Sequence, residues 1–110
     1  MQVRSDVKRT VQNLVEHLKG NYDPEIIILF GSYAYGEPDS ESDIDLLIVK
    51  RTPLPFHKRW AEVCQLVSVD TKGLEFSPFV ITPEELETRL EMGDQFFKEI
   101  LARGEILYAR

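Results

Sequence analysis

Two short apolar segments separated by a polar loop constrain the fold of this chain more than any other feature. The first, IIILF, ends at Gly31-Ser32, and the second, LLIV, directly follows Asp43-Ile44-Asp45. Apolar runs of this length, bounded by turn residues, are typical of buried strands. The sequence therefore predicts two strands joined by the loop 31–42, in which a turn of helix begins at Ser32 and ends at Gly36.

Helical and strand patterns follow one another along the rest of the chain. Apolar residues at helical spacing predict helices over Val3–Lys19 and over Phe56–Val67, the second burying Trp60, Val63, Cys64 and Val67. GLEFSPFVIT predicts a third strand, and Pro78 places it at an edge of the sheet because proline cannot donate to a ladder. Two helices, TPEELETRL with a capping-box start and GDQFFKEILARG, precede a short closing strand, EILYA.

This order of elements predicts an α/β (α+β) fold with a small three- to four-stranded mixed sheet flanked by helices. The 110 residues fit one domain spanning residues 1–110. The run DIDLLIVK is apolar over most of its length, which favours a central position in the sheet.

Composition excludes several function classes. Net charge is −6 and the basic residues are scattered, so binding to extended nucleic acid is not expected. Apolar runs are too short for a membrane span, and the N-terminus lacks the apolar core of a secretory signal. The single cysteine, Cys64, allows no internal disulfide, which favours a cytoplasmic location.

Asp43 and Asp45 point to one face of the second strand, because side chains two apart in a strand share a face. Two adjacent carboxylates repel each other unless a cation neutralises them. Hard oxygen ligands favour Mg²⁺ or Mn²⁺. Gly31 allows a sharp turn, and Ser32 offers a hydroxyl and an N–H group to phosphate. Together these parts predict a metal-assisted phosphoryl- or nucleotidyl-transfer site.

The stretch LFGSYAYGEPDSESDIDLLIV resembles the signature of the DNA polymerase β-like nucleotidyltransferases, and the chain is similar to their small stand-alone members, the minimal nucleotidyltransferases. The flanking helices, SPFVITPEEL and FFKEILARGEILY are also similar to those proteins. The resemblance implies the nucleotidyltransferase fold. It also implies transfer of a nucleoside monophosphate from an NTP, most often ATP, to a hydroxyl with release of pyrophosphate.

By position, the resemblance implies that Asp43 and Asp45 hold two Mg²⁺ ions, with Mn²⁺ as an alternative, and that Gly31 and Ser32 hold the β and γ phosphates. A third carboxylate is expected on the strand GLEFSPFVIT, where Glu75 is the acidic residue. Alignment of the following segment places the expected position nearer Ser77, and Asp70 is the fallback. The catalytic and metal-ligand set is thus predicted as Asp43, Asp45 and Glu75.

Relatives often have arginine where this chain has Tyr33 and Tyr35, so phosphate neutralisation is expected to fall on the metals and on Lys50 or Arg51. The tyrosines themselves are expected to pack around the short helical turn. Trp60 is expected in the core.

Two functions remain open at this point. The resemblance implies an enzyme whose active site lacks one wall in a single chain. That wall is expected to come from a second copy or from a helical partner protein encoded nearby. Some such proteins are antitoxins that attach AMP to their partner toxin. The alternative is a catalytically weak module that binds a nucleotide or a partner and acts by complex formation, which the uncertain third carboxylate would favour.

Overall fold

The computed structural model describes residues 5–36, 43–71 and 74–110. Val3 and Gly73, at the ends of predicted elements, and residues 37–42 of the predicted loop lie outside these ranges. The elements, in chain order, are α1 (Ser5–Asn21), β1 (Ile26–Phe30), α2 (Ser32–Tyr35), β2 (Ile44–Val49), α3 (Phe56–Leu66), β3 (Phe76–Ile81), α4 (Pro83–Glu91), α5 (Gln95–Arg103) and β4 (Glu105–Ala109). The predicted turn of helix is confirmed: α2 begins at Ser32, and Gly36 ends it with a φ of 84°.

The four strands form one mixed sheet in the order β3-β2-β1-β4. β1 pairs antiparallel with both β2 and β4, whereas β2 and β3 run parallel. The α/β fold and the central position of β2 are therefore confirmed. Pro78 lies on β3 at the edge of the sheet, as its missing N–H group predicted.

Helices cover both faces of the sheet, and β2 contributes alternate side chains to each. Ile44, Leu46 and Ile48 belong to the apolar cluster that includes α1 and α3. Leu47 and Val49 belong to the second cluster, in which they pack with Phe97 and Ile100 of α5 and with Leu86 and Leu90 of α4. Because Asp43 and Asp45 alternate with Ile44 and Leu46, the two carboxylates lie on the same face as Leu47, the α4–α5 face.

The core position predicted for Trp60 on α3 is wrong, because this side chain is 54% exposed. The neighbouring Arg59 is buried instead, at 5% exposure. Its guanidinium donates to both carboxylate oxygens of Glu85, at 2.7 and 3.1 Å, and its Nε donates to the Leu54 carbonyl at 2.6 Å. A buried cation needs such partners to offset its desolvation, and the charged one, Glu85 of α4, lies far from Arg59 in sequence.

The predicted helix start at Thr82 is confirmed as a complete capping box. The Glu85 N–H donates to the Thr82 hydroxyl at 3.1 Å, and the Thr82 N–H donates to the Glu85 carboxylate at 2.9 Å. Glu85 therefore links the cap of α4 to Arg59 of α3.

Cys64 is a partly buried free thiol, and burial raises its pKa. Among the described residues, no helix is both long and apolar enough to cross a lipid bilayer.

Candidate active site

The two carboxylates lie where β2 begins, between its two neighbouring strands. Asp43 directly precedes β2, and Asp45 is its second residue. Asp45 pairs with Phe30 of β1 on one side and with Ser77 of β3 on the other. Both carboxylates are partly exposed. A ligand from solvent can therefore reach a pair of oxygen donors fixed by a buried strand.

Gly31 brings the end of β1 against Asp45. Its backbone has a φ of 74°, a conformation that favours glycine. A Cβ atom at this position would lie 2.2 Å from Oδ2 of Asp45, well inside contact distance. The sequence predicted that Gly31 permits a sharp turn and a close approach. The structure shows that the close approach joins the two halves of the motif, which are separated by the ten residues 33–42 in the chain.

Ser77 contacts the pair from β3. Its hydroxyl donates a hydrogen bond to Oδ2 of Asp43, with a distance of 3.0 Å between the oxygens. Since Ser77 is paired with Asp45 in the parallel register, it contacts one carboxylate while facing the other. The sequence signal for this residue was its alignment position, but its hydrogen bond could not be found without the register of β3.

Among the described residues, no cationic side chain forms an ion pair with either carboxylate. The pKa of Asp45 is raised by its burial and, second, by the negative charge of Asp43. A bound cation would relieve both the repulsion and part of the desolvation cost.

Glu75 lies just before β3, with an exposed side chain, and its carbonyl accepts a hydrogen bond from the Ile44 N–H at 2.9 Å. The described residues contain no group of three or more His, Cys, Asp or Glu side chains placed to hold a metal ion. The carboxylate of the fallback residue, Asp70, contacts the His17 ring at 2.8 Å. The assignment of Glu75 as a ligand stays a prediction, whereas Ser77 is the residue that contacts the pair.

Lys50 and Arg51 lie at the opposite end of β2 from the carboxylates, so the geometry places them away from any phosphate bound at Gly31. Lys50 donates to the Tyr22 carbonyl, and Arg51 contacts Glu84. This position follows from the length of β2, because the six residues of the strand span roughly 20 Å.

The tyrosines of α2 pack as predicted, but one of them also contacts a cation. Tyr33 packs against the buried cluster of α1 and α3. The Tyr35 ring lies 4.1 Å from the guanidinium carbon of Arg103, at the end of α5. Arg103 is thus a cation that the tertiary structure brings to the α2 turn, and nothing in the local sequence pairs it with Tyr35.

The sequence of the chain decides its family. The family model described as polymerase β, nucleotidyltransferase, matches residues 12–110. The chain belongs to this nucleotidyltransferase family. The enzyme class implied by the motif is therefore confirmed.

Curated relatives of this nucleotidyltransferase come from Methanocaldococcus jannaschii. One, assigned as a protein adenylyltransferase, is 30% identical over 103 residues, covering 92% of this chain and 97% of the relative. Another with the same assignment is 40% identical over 48 residues, covering 44% of this chain and 56% of that protein.

Solved structures support the fold. A crystal structure assigned as a nucleotidyltransferase from Sulfolobus solfataricus has a TM-score of 0.57 and 19% identity, covering 99% of this chain and 91% of that one. A mutant form of the toxin–antitoxin complex MntA–HpeT contains a chain with a TM-score of 0.54 and 20% identity, covering 99% of this chain and 75% of that one. At these identities the likeness shows a common fold.

Nucleotidyltransferases generally use divalent metals, and part of this site fits one. Asp43 and Asp45 supply adjacent hard oxygen donors, and the space beside Asp45 depends on the missing side chain of Gly31. The third position facing the pair, at Ser77, supplies a neutral hydroxyl. The donors of the described residues thus fit a divalent cation but do not form the three-carboxylate set expected for two ions.

Proposed function

We propose that this nucleotidyltransferase transfers AMP from ATP to a hydroxyl group of a partner protein or a small molecule, and that it requires Mg²⁺, with Mn²⁺ as an alternative. The observation that most supports this proposal is the close approach of Gly31 to Asp45. It puts a turn suited to a phosphate chain beside a pair of carboxylates that forms no ion pair with the described residues.

Each residue of the site has a role in this proposal. Asp43 and Asp45 hold the metal, which supplies positive charge to the phosphates when bound. Gly31 and Ser32 contact the β and γ phosphates, and Arg103 near the α2 turn provides positive charge at its edge. Glu75 remains the predicted third carboxylate, to be compared with Ser77.

The proposed reaction is a substitution at the α phosphorus. The acceptor hydroxyl oxygen bonds to that phosphorus, the bond between the α phosphorus and the pyrophosphate oxygen breaks, and the acceptor loses a proton. The products are an AMP ester, pyrophosphate and H⁺. The chain's contribution is to hold the phosphates at the end of β1 and to orient the two carboxylates at the start of β2.

A protein acceptor is the favoured form of this proposal. The net charge of −6 disfavours a polyanionic acceptor. The curated relatives are assigned as protein adenylyltransferases, and one structural neighbour is part of a toxin–antitoxin complex. We therefore propose that the acceptor is a helical partner protein encoded nearby and that this chain is its antitoxin. The missing wall of the active site would come from that partner or, alternatively, from a second copy in a homo-oligomer. The proposed location is the cytoplasm, where Cys64 would stay reduced.

The test is transfer of label from ATP. Purified protein is incubated with α-labelled ATP, Mg²⁺ and the product of the neighbouring gene. We expect label on that protein, and a loss of at least about 1000-fold, or about 4 kcal/mol, when Asp43 and Asp45 are both changed to Asn. Asp70→Asn is the matched control, because Asp70 contacts His17 and is outside the site. Transfer that survives the double substitution would contradict the assignment of these residues.

The neutral Ser77 at the third position favours one other function, a binding module that acts through complex formation. This function predicts a stable complex with the same partner and no transfer of label in either the native protein or the double variant. Size-exclusion chromatography of the mixture, run beside the labelling assay, separates the two functions.

A further inference from the structure

We propose that Ser77, and not Glu75, completes the carboxylate site, acting as a neutral positioning residue that orients Asp43 toward a single divalent cation. This inference rests on the proposed function, because it assumes that Asp43 and Asp45 bind a metal. It goes further by assigning the third position to a residue of different chemistry.

The strand register supports Ser77. β2 and β3 pair in parallel so that Ser77 lies beside Asp45, and the Ser77 hydroxyl donates to Asp43 Oδ2 at 3.0 Å. Ser77 is partly buried on a strand between two paired neighbours, Phe76 and Pro78, whereas the Glu75 side chain is exposed ahead of the strand. A donor held by a paired strand fixes its acceptor better than an exposed side chain before the strand does.

The hydrogen bond decides how Asp43 can bind a cation. A hydroxyl that donates to one carboxylate oxygen fixes the orientation of the carboxylate and leaves the other oxygen free to coordinate. Among the described residues, the Ser77 hydroxyl is the side-chain group that donates to Asp43, and without it repulsion from Asp45 would turn the Asp43 carboxylate. The expected consequence is weaker metal binding with no loss of ligands.

Charge decides the number of ions. Asp43 and Asp45 together carry a charge of about −2, which one divalent cation neutralises, and Ser77 adds none. A carboxylate at position 77 would raise the charge to about −3 and give a second cation a ligand of its own. We therefore expect the nucleotide-free protein to bind one ion tightly, and the Ser77→Asp variant to bind a second.

The first experiment is a titration of the nucleotide-free protein with Mn²⁺, in which free and bound ions are measured by electron paramagnetic resonance. We expect one ion per chain. Ser77→Ala should weaken its binding by about 10-fold, and Ser77→Thr, which keeps the hydroxyl, should retain it. Glu75→Gln should change the affinity by less than about 2-fold, since the Glu75 side chain is exposed ahead of β3.

The second experiment reverses the chemistry at position 77. Ser77→Asp should bind Mn²⁺ at least about 10-fold more tightly, with a second ion per chain, and should melt at a lower temperature than the native protein when no metal is present. Added Mn²⁺ should reverse that loss. Ser77→Asn, of similar size and neutral, is the control for packing. If Ser77→Asp does not fold, the comparison of Ser77→Ala with Glu75→Gln still decides the question.

Three outcomes would overturn the inference: two ions bound to the native chain, weaker binding in Glu75→Gln than in Ser77→Ala, or equal binding by Ser77→Asp and Ser77→Asn. The double Asp43→Asn, Asp45→Asn variant distinguishes a wrong assignment of Ser77 from a wrong assignment of the metal site itself. If it binds Mn²⁺ as well as the native protein does, the metal site itself is elsewhere and both proposals fail.

Discussion

The two ends of β2 differ in whether their charged side chains have partners of opposite charge. At its start, the carboxylate end (Gly31, Asp43, Asp45 and Ser77) has two negative charges side by side and, among the described residues, no cation paired with them. At its finish, the paired end (Arg51, Arg59, Glu84 and Glu85) joins each charge to an opposite one. The like charges at the carboxylate end raise the pKa of Asp45, and a carboxylate perturbed in this way is typical of a functional site, whereas paired charges are typical of a structural one.

The largest expected effect on stability lies at the paired end. Arg59→Ala would leave the Glu85 carboxylate without its buried partner and should lower the free energy of unfolding by about 3 kcal/mol, as chemical denaturation would measure. Lys58→Ala, an exposed neighbour on α3, is the control and should have little effect. A loss below that of the control would show that the pair does not stabilise the fold.

The Arg59–Glu85 pair also makes the free energy of unfolding depend on pH in acid. The hydrogen bond from Arg59 is the main cause that lowers the pKa of Glu85 below its ordinary value of 4.5. The contribution of Glu85 is therefore present above about pH 4.5 and is lost as pH falls through its folded pKa. Accordingly, the difference between the native protein and Arg59→Ala should shrink in denaturation series below that pH.

Gly31→Ala tests the contact between the two halves of the motif. The added Cβ meets Asp45 and the positive φ is strained, so the free energy of unfolding should fall by about 2 kcal/mol and Mn²⁺ binding should weaken. Gly36→Ala is matched, because Gly36 has a φ of 84° but no atom within 4 Å of an added Cβ. It should lose only about 1 kcal/mol and keep its metal affinity. Equal effects of the two substitutions would mean that the Asp45 contact is unimportant.

Asp45→Asn should stabilise the metal-free protein at pH 7, raising the melting temperature by about 2–4 °C, or about 0.5 kcal/mol. Burial and the Asp43 charge raise the pKa of Asp45, so its favourable contribution is fully present below its ordinary value of 3.8 and is lost as pH rises through the higher folded pKa. The advantage of the variant should therefore vanish in acid. Mn²⁺ should raise the melting temperature of the native protein and leave that of Asp45→Asn unchanged. If Asp45→Asn were less stable than the native protein at pH 7, the claim that repulsion at the carboxylate end destabilises the fold would be wrong.

Arg51→Ala should have the smallest effect, below about 0.5 kcal/mol in denaturation, although Arg51 contacts both Glu25 and Glu84. Its side chain is 66% exposed, so solvent screens both pairs. Salt should reduce the effect further. A large loss would mean that the exposed part of the paired end matters as much as the buried Arg59–Glu85 contact.

Local patterns in the sequence were enough for the secondary structure and for half of the site. The capping box at Thr82, the turn at Gly36 and the alternation that puts Asp43 and Asp45 on one face are all local, since each depends on residues within a few positions. Trp60 and Arg59 could not be assigned in the same way. Which of two neighbours on α3 is buried depends on Glu85, an ion partner that reaches it from α4.

The sequence by itself determined the motif, the family and the two carboxylates of the candidate site. Only the tertiary structure decided what faces them. A strand repeats its faces every two residues, so Glu75 and Ser77 are equivalent until β3 is placed against β2. The observed register sets Ser77 beside the pair, leaves Glu75 exposed, and puts Lys50 and Arg51 at the far end of the strand. Pairing between strands is a long-range contact, and no spacing within one strand specifies it.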